Sequence, residues 1–483
     1  MSFHTLDYLL FLPMVVLIYF LIPHRSRWVV LLVASNLFYA SWRVEFLALI
    51  WFSLITDYAV ARAMPGARPR NRKILLAISL TTNLGLLGFF KFASPFVDEF
   101  INQSNAVSGS VAYQFLLPLG ISFYTFQTLG YVLDVYHGKR APERHLGYFA
   151  NFVMYFPQLI AGPVEKAGKL LPQFHRDQSF DIARATAGGA LILIGYYKKL
   201  VVADGLSVAI NPIMAGDPVA QAPLTLLIGS LGTVYTYYAD LSGYVDIAIG
   251  SSLILGIQLS QNFRRPFAAK SVTDFWQRWH ITVSHWFRDH VYLPLVYLRP
   301  TNMLFRFFAV MLTMVIIAIW HGAQSTWLLV GIISGLIIGF RVLARKWLAK
   351  RGAGAPITIG SRIMKVLLTA PAERAVFWLF LVVIGALVGT GSVESAWQMG
   401  RTIAQLPYQV AALDRTGINA VPLYIVLAII ALEVFQWLDE KKPVMERLQN
   451  IGPICTSGFY LALISIIVIF GTYNSPDFLY FRI

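Results

Sequence analysis

The sequence has one cysteine, Cys455, and little charge of either sign. A lone thiol excludes an internal disulfide and any multi-cysteine metal site. Charged residues make up 13% of the 483 positions, where soluble domains carry about 25%. One stretch, 307–340, runs for 34 residues without Asp, Glu, Lys or Arg. His321 is the only ionisable side chain inside it, and Arg306 and Arg341 close its ends. The first seven residues lack a basic run, so no cleaved signal peptide is expected. No internal repeat and no low-complexity tail is visible.

What is present is apolar. Hydrophobic residues reach 57% and the mean hydropathy is +0.62, which predicts an all-α polytopic membrane protein forming one integral-membrane domain over residues 1–483. The net charge of +15 is 39 basic minus 24 acidic residues. In a membrane chain such an excess reports cytoplasmic loops, and nucleic-acid binding is not expected. Basic clusters at Arg25/Arg27, Arg62–Lys73 and Lys139–Arg144 alternate with apolar stretches at 28–41, 46–61, 74–90 and 115–133. Further crossings are expected near 186–203, 223–239, 307–320, 327–340, 375–391, 421–432 and 458–472, giving about eleven to twelve. Residues 149–163, aromatic and broken by Gly and Pro, and 244–259, apolar and broken by Gly, read as re-entrant segments. Such backbone is tolerated at membrane depth only when buried in protein or lining a cavity. Lys198 and Lys199 fall near the outer leaflet against the charge rule, and burial in a polar cavity is the account available to sequence.

A single span needs about 20 residues, so 307–340 predicts two helices with a break at Trp320 to Thr326. At about 1.5 Å per residue, a helix starting at Phe307 reaches Trp320 after roughly 21 Å of an about 30 Å hydrocarbon core. His321 is then an intramembrane ionisable group, which is expensive and by default functional; a histidine in a polar surface turn is the alternative. Downstream of a capping-box match at Ser271 to Asp274, Trp276, Trp279, His280, Val283, Trp286, Phe287 and His290 recur at helical spacing. This predicts one interfacial helix that ends before Pro294. His280, His285 and His290 stand five apart, which turns each by roughly 140° on a helix, so no shared metal is expected.

Five ordered blocks carry more specific information. They are Leu-Pro-Leu-Gly-Ile-Ser-Phe-Tyr-Thr-Phe-Gln at 117–127, Tyr-Phe-Pro-Gln-Leu-Ile-Ala-Gly-Pro at 155–163, and Asp-Leu-Ser-Gly-Tyr-Val-Asp-Ile-Ala at 240–248 with Asn-Phe-Arg-Arg-Pro at 262–266. Asp-Phe-Trp-Gln-Arg-Trp-His-Ile-Thr at 274–282 and Trp-His-Gly at 320–322 complete the set. Their order and spacing resemble the membrane-bound O-acyltransferase superfamily over nearly the whole chain. Within it they resemble the bacterial branch that includes the alginate O-acetylation membrane subunit and the D-alanyl transfer protein B of teichoic acid modification. One departure is Leu293 to Arg299, where alginate-type members carry a Gly-Gly-Asn-Arg run after Leu-Pro-Leu; it leaves the polymer and the partner open.

The resemblance implies an acyl-transfer fold with a cytoplasmic opening near His280, a tunnel to His321, and His321 as catalytic histidine. A neutral imidazole can take the proton of an attacking hydroxyl. His280 is expected either to line the tunnel or to move protons, and Asp240 and Asp246 to pair structurally or to orient helices or histidines. Arg264, Arg265, Arg278 and Arg288 are candidates for the phosphates of acetyl-CoA, because guanidinium forks match phosphate. Their plainer reading is positive-inside charge. No permanently bound cofactor and no metal are expected. The ending at 475–483 resembles the branch's short aromatic tail, with Arg482 and Ile483 as departures, and makes Tyr480 a candidate acyl relay or an interfacial anchor. The implied activity is acetyl transfer across the bacterial inner membrane to an extracytoplasmic polysaccharide or glycan, with membrane lipids and a periplasmic SGNH-type acyltransferase as partners. D-alanyl transfer is the alternative, and a transporter without chemistry is a third reading that lacks inverted repeats.

Overall fold

The computed structural model describes residues 3–93, 117–351, 359–406, 420–442 and 444–473. Every regular element among them is helical, the all-α architecture that an apolar, low-charge chain requires when backbone groups must be satisfied without water. Six helices are long and apolar enough to cross a membrane, including Val44–Ala63, Pro69–Ala93, Met303–His321 and Ala370–Thr390. Others are shorter or interrupted: Leu6–Leu21 has 16 residues and Ile121–Tyr136 has 16. Residues 1–194 with 244–261 form one compact unit, and 195–243 with 262–483 form another.

In the first unit, the segment after Leu146–Met154 leaves the helix at Tyr155 and stays buried through Pro163. Its irregular backbone is satisfied internally. Phe156 N–H donates to Ser35 Oγ at 3.0 Å, and Phe152 C=O accepts from the Gln158 side chain at 2.8 Å. The Gln127 side chain donates to the same carbonyl while its Oε1 accepts from Glu165 N–H at 3.2 Å. The non-helical buried backbone expected of 149–163 is confined to 155–163, because 149–154 belong to the helix Leu146–Met154. The expectation for 244–259 differs in form, because Pro223–Ile254 is one continuous helix of 32 residues. Gly250, one of the glycines that read as a break in 244–259, serves close packing instead: a Cβ there would lie 2.5 Å from Gly188 O.

In the second unit, Met303–His321 and Ser325–Arg351 form the helical hairpin foreseen for 307–340. Gly331, Gly335 and Gly339 recur every fourth residue on the second helix. A Cβ at Gly331 would meet Ala318 Cβ at 2.5 Å and Met314 O at 2.7 Å; one at Gly335 would meet Met311 Sδ at 2.7 Å, and one at Gly339 the Phe307 ring at 2.6 Å. Small residues at this spacing let membrane helices approach closely, and here they fix the helix that ends in His321.

The expected single helix over the aromatic segment is corrected. Ser271 caps its start, accepting from Asp274 N–H at 3.2 Å, but Val272–Arg278 and Ile281–Phe287 are separate helices. Segment 262–264 competes for the intervening backbone. Arg264 N–H donates to Arg278 O and Ile281 N–H to Asn262 O, both at 2.9 Å, and His280 takes the left-handed conformation at φ 47° and ψ 48°. Nor does the chain stop before Pro294: helical turns continue through Arg288–Tyr292 and Leu293–Leu298. Pro294 lies in the first turn of the latter, where its missing N–H costs least.

Candidate active site

Four elements of the second unit enclose a cavity of about 60 Å³. The helix Pro223–Ile254 contributes Thr233, Val234, Tyr237 and Leu241; the capped segment contributes Phe275, Trp276, Trp279 and His280. The hairpin adds His321, Trp327 and Val330, and Ala370–Thr390 adds Ile384 and Val388. The two histidines singled out by sequence, 41 positions apart, therefore open into one small apolar chamber.

His321 is the last residue of its helix, so its ring projects where the chain turns at Gly322. The imidazole stacks on Trp327 with centroids 4.7 Å apart and planes 13° apart, and Trp320 flanks it at 4.4 Å. Contact with two indole rings limits its rotation.

His280 is set by Asn262. The Asn262 Oδ1 accepts from Thr282 N–H at 3.0 Å and Thr282 Oγ at 2.9 Å. The amide nitrogen then faces His280 Nδ1 at 3.4 Å and must donate, so Nδ1 accepts and the proton of the neutral ring sits on Nε2. Burial pushes the His280 pKa down from 6.5 to about 4, because a charged imidazole loses hydration there. Among the described residues only His280 and Arg265 have positive φ without being glycine. Such conformations cost of order 1–3 kcal/mol and collect at functional sites.

The four arginines are not gathered around the cavity. Arg265 Nη1 meets Glu440 Oε2 at 2.8 Å and Arg278 Nη1 meets Glu440 Oε1 at 3.8 Å, while Arg278 Nε meets Asp274 Oδ1 at 2.8 Å. Arg288 pairs with Asp289 at 2.8 Å and stays half exposed; Arg264 is exposed. Glu440 stood outside the sequence reading, since nothing local signals a carboxylate that meets two arginines more than 160 positions away. Asn262 was inside a quoted block but had no role until its partner position was known. Trp327 lies six residues past His321, a spacing that gives no sign of stacking across a turn.

Asp240 is buried and takes part in an ion triad. Lys199 Nζ lies 2.8 Å from Asp240 Oδ1 and 2.9 Å from Asp204 Oδ1, and Lys198 Nζ sits 5.8 Å from the Tyr238 ring centroid. Paired carboxylates and an aromatic face account for the two lysines that defied the charge rule. Asp246 is half-buried on the same helix as Asp240. Tyr480 and the rest of the 475–483 tail lie outside the described residues.

The description "MBOAT, membrane-bound O-acyltransferase family" fits residues 143–365, which include both histidines. The chain is 34% identical over 452 residues to the probable alginate O-acetylase of Pseudomonas aeruginosa, spanning 90% of this chain and 82% of that protein. It is 32% identical over 364 residues to the peptidoglycan O-acetyltransferase of Helicobacter pylori, covering 68% of each. With the teichoic acid D-alanyltransferase of Streptococcus thermophilus it shares 28% identity over 48% of this chain and 58% of the relative. The chain thus belongs to the membrane-bound O-acyltransferase family, as a multi-pass membrane enzyme with O-acyltransferase activity.

Proposed function

We propose that this enzyme takes an acetyl group from cytoplasmic acetyl-CoA and delivers it, across the bacterial inner membrane, toward O-acetylation of an extracytoplasmic polysaccharide or glycan. The observation that carries the reading is the shared chamber of His280 and His321, about 60 Å³ in volume. A water needs about 10–15 Å³ of such space, so the chamber has room for a two-carbon acyl group. The relatives with identities above 30% act, by name, as O-acetylases.

In this mechanism His321 removes the proton of the attacking hydroxyl as its oxygen bonds to the thioester carbonyl carbon. The carbon–sulfur bond then breaks, and the departing thiolate takes the proton back from the imidazolium. The surrounding tryptophans exclude water, which would otherwise hydrolyse the thioester. His280, neutral with Nε2–H, donates a hydrogen bond inside the chamber. Exposed Arg264, and Arg288 beside its partner Asp289, meet the coenzyme phosphates. Arg265 and Arg278, engaged by Glu440, brace the 262–282 crossing. Tyr480 serves as the relay: its phenol accepts the acetyl group and passes it to the serine of a periplasmic SGNH-type partner, splitting one transfer into two. Tyr480→Phe keeps the ring and removes the hydroxyl; normal polymer acetylation by that variant would make the tail an anchor only.

The donor is tested with inverted membrane vesicles from producing cells. Radiolabelled acetyl-CoA added outside should label lumenal glycan or protein. No label from acetyl-CoA, with label from a D-alanyl carrier thioester, would replace this reading by the D-alanyl one suggested by the teichoic acid relative.

A further inference from the structure

A second cavity, of about 340 Å³, lies at the start of the Val272–Arg278 helix. Its walls are Leu336, Ile337 and Phe340 of the hairpin helix, Leu367 and Leu368, and Val376. Its floor is Ser271, Val272 and Thr273, the first residues of the segment whose Phe275 and Trp276 face the acyl chamber. Leu336, Phe340, Leu367 and Val376 are 36–47% exposed, so the cleft is open along an apolar side. Two of its three walls, Ser325–Lys350 and Ala370–Thr390, are long enough to span a membrane, and an apolar opening there faces lipid tails.

The mouth of the cleft is charged. Arg341 donates to Glu373 through Nε at 2.6 Å and Nη2 at 3.1 Å, a fork that ties the two walls together. Residues 341–376 contain eight basic side chains and one acid, Glu373. Arg345, Arg362, Lys365 and Arg374 are exposed. The helix Ile359–Leu367 alternates Arg362 and Lys365 with Ile363, Val366 and Leu367, the pattern of a helix lying in a membrane interface. An apolar slot beneath a cationic rim between spanning helices is complementary to an anionic phospholipid.

We infer that this cleft binds one anionic phospholipid, with an acyl tail between the hairpin helix and Ala370–Thr390 and the phosphate at Arg345 and Arg374. The tail contacts the floor at Val272 and so buttresses the helix that carries Phe275 and Trp276 of the acyl chamber. The site depends on the membrane setting alone and is independent of the proposed donor and acceptor. Its ligand is a structural lipid, never the acyl donor.

The test uses the full chain in nanodiscs of phosphatidylcholine with phosphatidylglycerol, reading the lipid retained after transfer to detergent by native mass spectrometry. The wild type should retain one phosphatidylglycerol in preference to phosphatidylcholine. Each basic residue near a phosphate contributes about 1 kcal/mol, so the Arg345→Gln/Arg374→Gln variant should lose that preference by roughly 30-fold. A photoactivatable tail on phosphatidylglycerol should label the peptide containing Ile337, a reading that needs no variant to fold. Equal retention of both lipids by the wild type, an unchanged preference in the double variant, or labelling confined to other helices would overturn the site.

Discussion

His280 is neutral because of where it is buried, and its tautomer is set by one amide. Asn262→Ala would leave the Thr282 N–H and His280 Nδ1 without the partners they have at 3.0 and 3.4 Å. Orphaning buried groups costs about 1–3 kcal/mol, so the purified variant should melt several degrees lower, with acyl transfer reduced further than stability alone explains. The depressed pKa also has a pH signature. Above pH 6.5 the ring is neutral folded and unfolded; as pH falls from 6.5 toward about 4 the unfolded chain takes up a proton that the folded one refuses. Stability is therefore present above 6.5 and lost down to about 4, by roughly 3 kcal/mol at most. His280→Asn, which tolerates the left-handed conformation, should flatten the pH dependence of the melting temperature in that window; an unchanged slope would deny that His280 is held neutral. At this scale His321 was legible, because an ionisable group stands out in 34 uncharged residues. Asn262 and Glu440 were not, because their roles exist only once distant segments meet.

Elements position the cavity through close helix approach. Gly385 of Ala370–Thr390 packs against the backbone of Pro223–Ile254, where a Cβ would come within 1.9 Å of Ser230 O. Ile384 and Val388 beside it, and Thr233 and Val234 opposite, line the chamber. Gly385→Ala must push the helices apart, at a typical overpacking cost of about 1–3 kcal/mol, and should lower acyl transfer although it touches neither histidine. Activity and melting temperature equal to wild type would contradict that packing. The hairpin at 307–340 was readable from uncharged length alone, and its glycine stripe at 331, 335 and 339 was a signal available in the sequence. The break at Trp279 and His280 was hidden, because an unbroken 3.6-residue period says nothing about backbone captured by residues 262–264. Gly250 misled in the other direction, since a glycine inside a helix can mark a contact as well as an end.

For the whole molecule, low charge and long apolar runs dictated an all-helical membrane chain, and the ordered motif blocks named its family. Sidedness is a matter for labelling. With Cys455→Ser as a cysteine-free background, Gln277→Cys, which is exposed, should react from the cytoplasmic side only and be protected by acetyl-CoA; reaction from the periplasm would overturn the orientation and the donor face together. The central claim is that His321 supplies the base for acyl transfer within the tryptophan-lined chamber. It is tested most directly by measuring polymer acetylation in cells that carry His321→Ala at wild-type membrane abundance and melting temperature. Loss of a general base predicts a fall of about 10²–10⁴-fold, whereas acetylation within a few-fold of wild type would contradict the assignment.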